Sequence, residues 1–127
     1  MITLTKPAQL TLDGAALLGY CGFIFWLSDQ SRLPTPQLFS AEDKLHHFLA
    51  YFVMCVAAWR FFRHWCSNRL MLMIISLVFC SLYGISDEWH QSFVPGRQAS
   101  VLDWLADTAG GLIAALSRWR HGRTETV

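Results

Sequence analysis

The chain has 127 residues, of which 54% are hydrophobic and 15% charged, with a formal net charge of +1 and a mean hydropathy of +0.32. Soluble domains average about 25% charged residues, and a chain this short has a large surface to cover with so few charges. These numbers exclude a disordered chain, a nucleic-acid binder with a basic face and a coiled coil, and they read as a small integral membrane protein. Cys21, Cys55, Cys66 and Cys80 show no C-x-x-C spacing. They read as small packing residues, with no metal or redox motif among them.

The first apolar segment spans 8–27 and is broken by Asp13. Its apolar core, 15–27, has the length of a signal-peptide h-region. No small-x-small cleavage site follows, so it reads as an uncleaved helix. Residues 33–36 (LPTP) predict an extended loop, because each proline disfavours helix in the residue before it. Residues 40–43 (SAED) form a capping-box pattern, with Ser40 as N-cap, and open a second helix over 41–62. The third helix spans 70–91. Its apolar part ends at Ile85, and Asp87, Glu88, His90 and Gln91 add a polar extension. Pro95-Gly96 predicts a turn. Ser100 and Asp103 repeat the capping-box pattern and open a fourth helix over 101–119.

About 20 residues at 1.5 Å rise cross a 30 Å hydrocarbon core. The first three segments qualify directly. The fourth carries Asp103 and Asp107 and needs its neighbours to shield it from lipid. The expected fold is all-α: a single membrane domain over 1–127, an integral membrane bundle of four transmembrane helices. Lys6, Arg60, Arg63, Arg69, Arg118, Arg120 and Arg123 fall on one side of this arrangement, and Arg32, Lys44 and Arg97 on the other. The positive-inside rule makes the richer side cytoplasmic. Both termini are then expected to be cytoplasmic, with the first and third loops outside.

This orientation gathers the unusual polar residues at the outer side. Lys44, His47 and Tyr51 stand at i, i+3 and i+7 on one face of the second helix. Asp87 and Gln91 are i, i+4 on the third, with Glu88 beside them. Asp103 and Asp107 are i, i+4 on the fourth, and Gly110, Gly111 and Ala114 continue their face as small residues that let a helix approach. Asp107 lies about 10 Å beyond Ser100 along the axis. A carboxylate at helix centre costs about 2.5–3.5 kcal/mol on insertion scales, so Asp107 should face the bundle interior and pair. Arg97 is expected to close on Asp87, Asp103 or Asp107, with His47, Asp87 and Arg97 within side-chain reach of one another. Blander roles compete. Asp43 and Asp103 can serve as caps, Lys44 and Arg97 as interface anchors, and His46 and His90 can be merely solvated. A buried charge network can also simply lock the bundle.

The pattern D-K-x-x-H-x-x-x-Y over 43–51, the string Y-G-x-x-D-E-x-x-Q-x-F-x-P-G-R over 83–97, and D-x-x-x-D-x-x-G over 103–110 resemble the VanZ-like family of small bacterial membrane proteins. The resemblance covers about residues 20 to 115. Many members carry Asn where this chain has Asp107, so the resemblance does not imply an ionised carboxylate there. The family takes its name from an accessory protein of glycopeptide-antibiotic resistance, linked to teicoplanin. The resemblance thus implies a multi-pass protein of the bacterial cytoplasmic (inner) membrane in an envelope context, and no particular reaction.

The leading functional expectation is a site that binds or handles an anionic or zwitterionic envelope molecule, such as a lipid-linked headgroup. Its residues are Lys44, His47, Tyr51, Asp87, Glu88, Gln91, Arg97, Asp103 and Asp107. Lys44, His47 and Arg97 would meet the anion, Arg with its bidentate fork. Asp43, Asp87, Glu88, Asp103 and Asp107 outnumber Lys44 and Arg97, a formal excess of three negative charges that suits a bridging Mg²⁺ or Ca²⁺. No metal ligand, cofactor or catalytic residue is assigned. One alternative is an outer-leaflet hydrolase or transferase dependent on a metal or a His/Asp pair, although no nucleophile signature is present. Another is a small proton-coupled transporter using Asp107. Expected partners are the lipid bilayer and a lipid-linked envelope precursor, with no nucleic acid. A homo-oligomer stays open.

Overall fold

The computed structural model describes residues 4–31 and 41–121. Four helices make the fold: α1 (Lys6–Ser28), α2 (Glu42–Phe62), α3 (Arg69–Gln91) and α4 (Val101–His121), with no strand among the described residues. The first three are each long and apolar enough to cross a membrane. The 21 residues of α4 rise about 31 Å, and Asp103, Asp107 and its basic last turn make it the more polar helix.

Local chemistry accounts for the helix ends. Pro7 sits in the first turn of α1, where a missing N–H is no loss. Asn68 caps α3, its side chain accepting from the Met71 N–H at 3.0 Å. Gly96 has a positive φ of 83°, and its turn closes with the Arg97 N–H donating to the Val94 carbonyl at 3.0 Å. Ser100 caps α4 by accepting from the Asp103 N–H at 3.3 Å. The N-cap position of α2 falls on Ala41, whose side chain makes no capping bond. Ser40, the 33–36 loop, Arg32 and Arg123 lie outside the described residues.

The interior carries polar groups and the exterior apolar ones, the inverse of a soluble domain. Asp13, His47, Asp87, Glu88, Gln91, Asp103 and Asp107 are buried, while Leu18, Leu82, Trp89 and Val101 are among the exposed large hydrophobics. On α4 the buried residues are Asp103, Asp107, Gly110, Gly111, Ala114 and Ala115, one stripe. Leu105, Leu112 and Ile113 face out. A lipid-facing surface explains this inversion.

The central helix is α2, which packs against each of the other three, while α4 packs on α2 and α3. The α2–α4 approach is set at Gly110, where a Cβ would collide with the Phe48 backbone carbonyl. Gly111 fits against Cys80, Leu77 and Cys55. Met54, Cys55, Cys80 and Ala114 fill the middle of the bundle. Two tyrosines fasten α1. The Tyr20 hydroxyl donates to the Ala50 carbonyl at 2.8 Å, and that of Tyr83 to the Cys21 carbonyl at 2.6 Å.

Gly110→Ala should destabilise the bundle by about 1–3 kcal/mol, the usual cost of overpacking, because the obstructing atom is backbone and cannot rotate away. Gly19→Ala and Gly22→Ala, where an added Cβ meets nothing within 4 Å, should cause no loss. Thermal unfolding in detergent compares the three, and equal melting temperatures would show that the α2–α4 contact yields freely.

Candidate functional site

The starts of α2 and α4 and the ends of α1 and α3 meet at one end of the bundle. One face of α2 supplies three rungs. Lys44 Nζ lies 3.2 Å from Asp103 Oδ1, His47 Nδ1 lies 2.8 Å from Asp107 Oδ1, and the Tyr51 hydroxyl donates to Asp87 Oδ2 at 3.3 Å. Both α2 and α4 start from this end, so the i, i+3 pair on α2 meets the i, i+4 pair on α4. A carboxylate oxygen can only accept, so the His47 Nδ1 carries the proton of its bond. Gly84 makes room for this arrangement: a Cβ there would stand 3.0 Å from Asp107 Oδ2.

Glu88 works differently. Its Oε2 accepts from the Ser100 N–H at 2.7 Å. In a capping box the third residue of the helix normally reaches back to that N–H. Here Glu88 of α3 does so instead, and Asp103 is left for Lys44. The cap role considered for Asp103 therefore does not describe its side chain, and Asp43 is exposed in the first turn of α2.

Arg97 departs from expectation. Among the described residues its side-chain partner is Gln91, whose Oε1 accepts from Arg97 Nη2 at 3.0 Å, and no carboxylate forms an ion pair with it. Gln91 Nε2 in turn donates to Asp87 Oδ2 at 3.3 Å. The physical reason is the turn at 94–97, which folds the guanidinium back over α3. The α4 carboxylates are already engaged by bases of α2. Gln91 thus links Arg97 to Asp87. His46 and His90 are half-buried, not merely solvated. His46 lies 3.7 Å from Glu42, and His90 lies 3.4 Å from Asp29 with its ring 4.5 Å from that of Phe25.

A pocket of about 70 Å³ opens between α1 and this polar wall. Ile24, Leu27 and Ser28 line it from α1; His46, His47, Ala50 and Tyr51 from α2; Asp87 and Gln91 from α3; and Arg97 from the turn. Of the nine candidate residues, His47, Tyr51, Asp87, Gln91 and Arg97 line the pocket. Lys44, Glu88, Asp103 and Asp107 do not. His47, Asp87, Glu88 and Asp107 are all buried, and each offers one donor atom within 4.8 Å of the others, so these four could hold a metal ion. That convergence depends on three helices and has no linear signature.

The sequence reading gave Asp13 no role beyond interrupting an apolar run. It is buried at the opposite end, with Arg60 Nε and His64 Nε2 each 2.9 Å away and Arg63 Nη2 at 3.6 Å. The i, i+3, i+4 spacing of Arg60, Arg63 and His64 was the available signal. Ser28 Oγ, buried in the pocket wall and without a hydrogen bond among the described residues, had none.

Removing Asp107 should cost more than removing Asp103. Asp107→Ala strands a buried imidazole N–H, a loss of about 1–3 kcal/mol. The Lys44 side chain is 44% exposed, so in Asp103→Ala it can turn to water. Asp107→Asn keeps an acceptor for His47 and should melt near wild type. Melting temperatures of the three variants check the ranking, and an Asp103→Ala loss equal to that of Asp107→Ala would contradict it.

The sequence model of the VanZ/LLP1 family matches residues 18–119, a range that takes in the whole polar end. No curated protein and no solved structure matches the chain. The match extends over most of the four-helix bundle, and the chain belongs to the VanZ/LLP1 family.

Proposed function

We propose that this is a multi-pass protein of the bacterial cytoplasmic membrane whose outward-facing pocket binds the anionic or zwitterionic headgroup of a cell-envelope amphiphile, such as a lipid-linked precursor. The observation that carries the reading is the contrast between the pocket walls. Ile24 and Leu27 face it from α1, and His47, Tyr51, Asp87, Gln91 and Arg97 face it from the other side. A small polar solute gains nothing from the apolar wall, whereas an amphiphile uses both.

Arg97 is the cation for the anionic group, because its guanidinium keeps N–H donors beyond the one given to Gln91. Lys44 and His47 are engaged by Asp103 and Asp107; His47 lines the pocket and Lys44 does not. Asp87 and Gln91 orient Arg97 and would accept from an amine of a zwitterionic headgroup. The Lys/Arg asymmetry supports both termini being cytoplasmic. The apolar outer face of α4 supports a fourth span.

A hydrolase or transferase is the second reading, favoured by the 2.8 Å His47–Asp107 contact at the pocket wall. A carboxylate that fixes one imidazole nitrogen leaves the other for proton transfer. Transport finds less support. The described middle of the bundle is filled by Met54, Cys55, Cys80 and Ala114, and the buried carboxylates gather toward its two ends.

Native mass spectrometry of protein extracted from bacterial membranes tests the reading. Wild type should retain an anionic or zwitterionic amphiphile. Arg97→Ala should retain about tenfold less, equivalent to ~1.4 kcal/mol, at an unchanged melting temperature, and Arg97→Lys should fall between because it lacks the fork. Equal retention by wild type and Arg97→Ala overturns the headgroup site. A C-terminal reporter active only outside the cytoplasm overturns the orientation.

A further inference from the structure

We infer that His47, Asp87, Glu88 and Asp107 form a buried site for one divalent transition-metal ion, behind the wall of the pocket. Three helices contribute: His47 from α2, Asp87 and Glu88 from α3, and Asp107 from α4. All four side chains are buried, Asp107 completely.

Two observations beyond the clustering point to an ion. The first is that the cluster contains acceptors with nothing to accept from. Glu88 Oε1 and Asp107 Oδ2 are buried and have no hydrogen-bond donor among the described residues. Glu88 Oε1 faces His47 Nδ1 at 3.8 Å, beyond hydrogen-bond range. Buried carboxylate oxygens are ordinarily satisfied, and both of these are more than nine-tenths buried. The second is charge. Three carboxylates surround one imidazole, and the nearby fixed cations are engaged elsewhere, Lys44 by Asp103 and Arg97 by Gln91. A dication offsets this excess, which buried charges otherwise leave uncompensated.

The dimensions fit. Donor atoms stand about 2.0–2.4 Å from a divalent ion, so neighbouring donors are about 3 Å apart and opposing ones about 4–5 Å. The ligand atoms of the four residues all lie within 4.8 Å of one another. One imidazole with three carboxylates is a mixed nitrogen and oxygen set. That favours Mn²⁺ or Zn²⁺ over Ca²⁺ and Mg²⁺, which prefer oxygen alone. Ligation needs a ring nitrogen with a free lone pair: an imidazolium gives one proton to solvent, whereas a neutral His47 only moves its Nδ1 proton to Nε2. His47 also stands near Asp43 and Asp103, but Asp43 is exposed and Asp103 is held by Lys44.

The inference deepens the headgroup reading and rests on it in one respect: the ion would supply, next to Arg97, a second positive charge for a phosphate-bearing headgroup. Ion binding itself is tested without lipid. Purified full-length protein, stripped with EDTA and delipidated, is titrated with Mn²⁺ and with Zn²⁺ alone. Calorimetry reads stoichiometry and affinity.

Wild type should bind one ion per chain. Asp107→Asn and His47→Gln should each bind at least tenfold more weakly. Asp107→Asn should melt near wild type in EDTA, which separates lost ligation from lost fold. Asp43→Asn should bind as wild type. No stoichiometric binding by wild type, or wild-type affinity in both ligand variants, overturns the site. If protein extracted from membranes retains an amphiphile but the stripped protein binds no ion, this inference falls and the headgroup site stands. If the stripped protein binds one ion but protein extracted from membranes retains no amphiphile, the headgroup site falls and this one stands.

Discussion

A Cβ at Gly110 would run into the carbonyl of Phe48, and the closeness of α4 to α2 that this reveals is the condition for the rest of the polar end. Imidazole and carboxylate side chains are short. His47 meets Asp107 at 2.8 Å only because the two helix axes are drawn together one turn away. Gly84 performs the same service from α3 by leaving room for Asp107. Small residues in membrane helices are usually discussed as a packing device. Here the packing has a second product, which is that the short side chains of Asp107 and His47 are brought to bonding distance, while Asp103 is reached by the long side chain of Lys44.

A network that merely locks the bundle accounts for part of this geometry. Asp103 with Lys44 and Asp107 with His47 join α4 to α2, and Glu88 completes the cap of α4 through Ser100. It does not account for the pocket wall. The chain from Asp87 through Gln91 to Arg97 fastens α3 to its own following turn and meets another helix only through the Tyr51 hydroxyl on Asp87, so it adds little to helix–helix cohesion. It also lies where α1 leaves a gap. Groups that hold one another in place without holding the fold together are what a ligand site requires. The cluster therefore divides by location: the α4 side locks, and the α1 side faces the pocket.

The four helices were legible because each is a long apolar run with punctuation at its ends. Gly96 and Ser100, which the sequence marks as a turn and a cap, are that in the structure; Pro7 and Asn68, which lie outside that reading, open two more helices. The faces were legible too, since helical spacing alone puts Lys44, His47 and Tyr51 on one side of α2. The pairing was harder to read. Arg97 was matched to a carboxylate by charge, but a turn of four residues returns it to α3, and Gln91 is the group it reaches first. Glu88 acting as the cap of another helix depends on the distance between the end of α3 and Ser100, which no local pattern encodes. Asp13 was read as an interruption because its partners, Arg60 and His64, lie 47 and 51 positions away. Lys and Arg near segment ends speak to orientation and carry no sign of their partners. A lone carboxylate in one apolar run and a cluster of bases flanking another is a pair of signals that belong together.

The two ends of the bundle differ in the balance of their charges, and α2 is the reason. It supplies Lys44 and His47 at its start, Arg60 near its end and Arg63 and His64 just beyond it. Apart from Glu42 at the first residue of α2, the buried carboxylates come from the other three helices: Asp13 from α1, Asp87 and Glu88 from α3, and Asp103 and Asp107 from α4. At one end a single carboxylate faces three bases; at the other the carboxylates are in excess. Each would cost about 2.5–3.5 kcal/mol if its helix crossed a membrane alone. That cost is partly offset only when α2 is already beside it. For α4, with two buried aspartates, this makes entry into the bundle and approach to α2 a single event. The helix with the poorest apolar composition has its place because the central helix brings the bases to it.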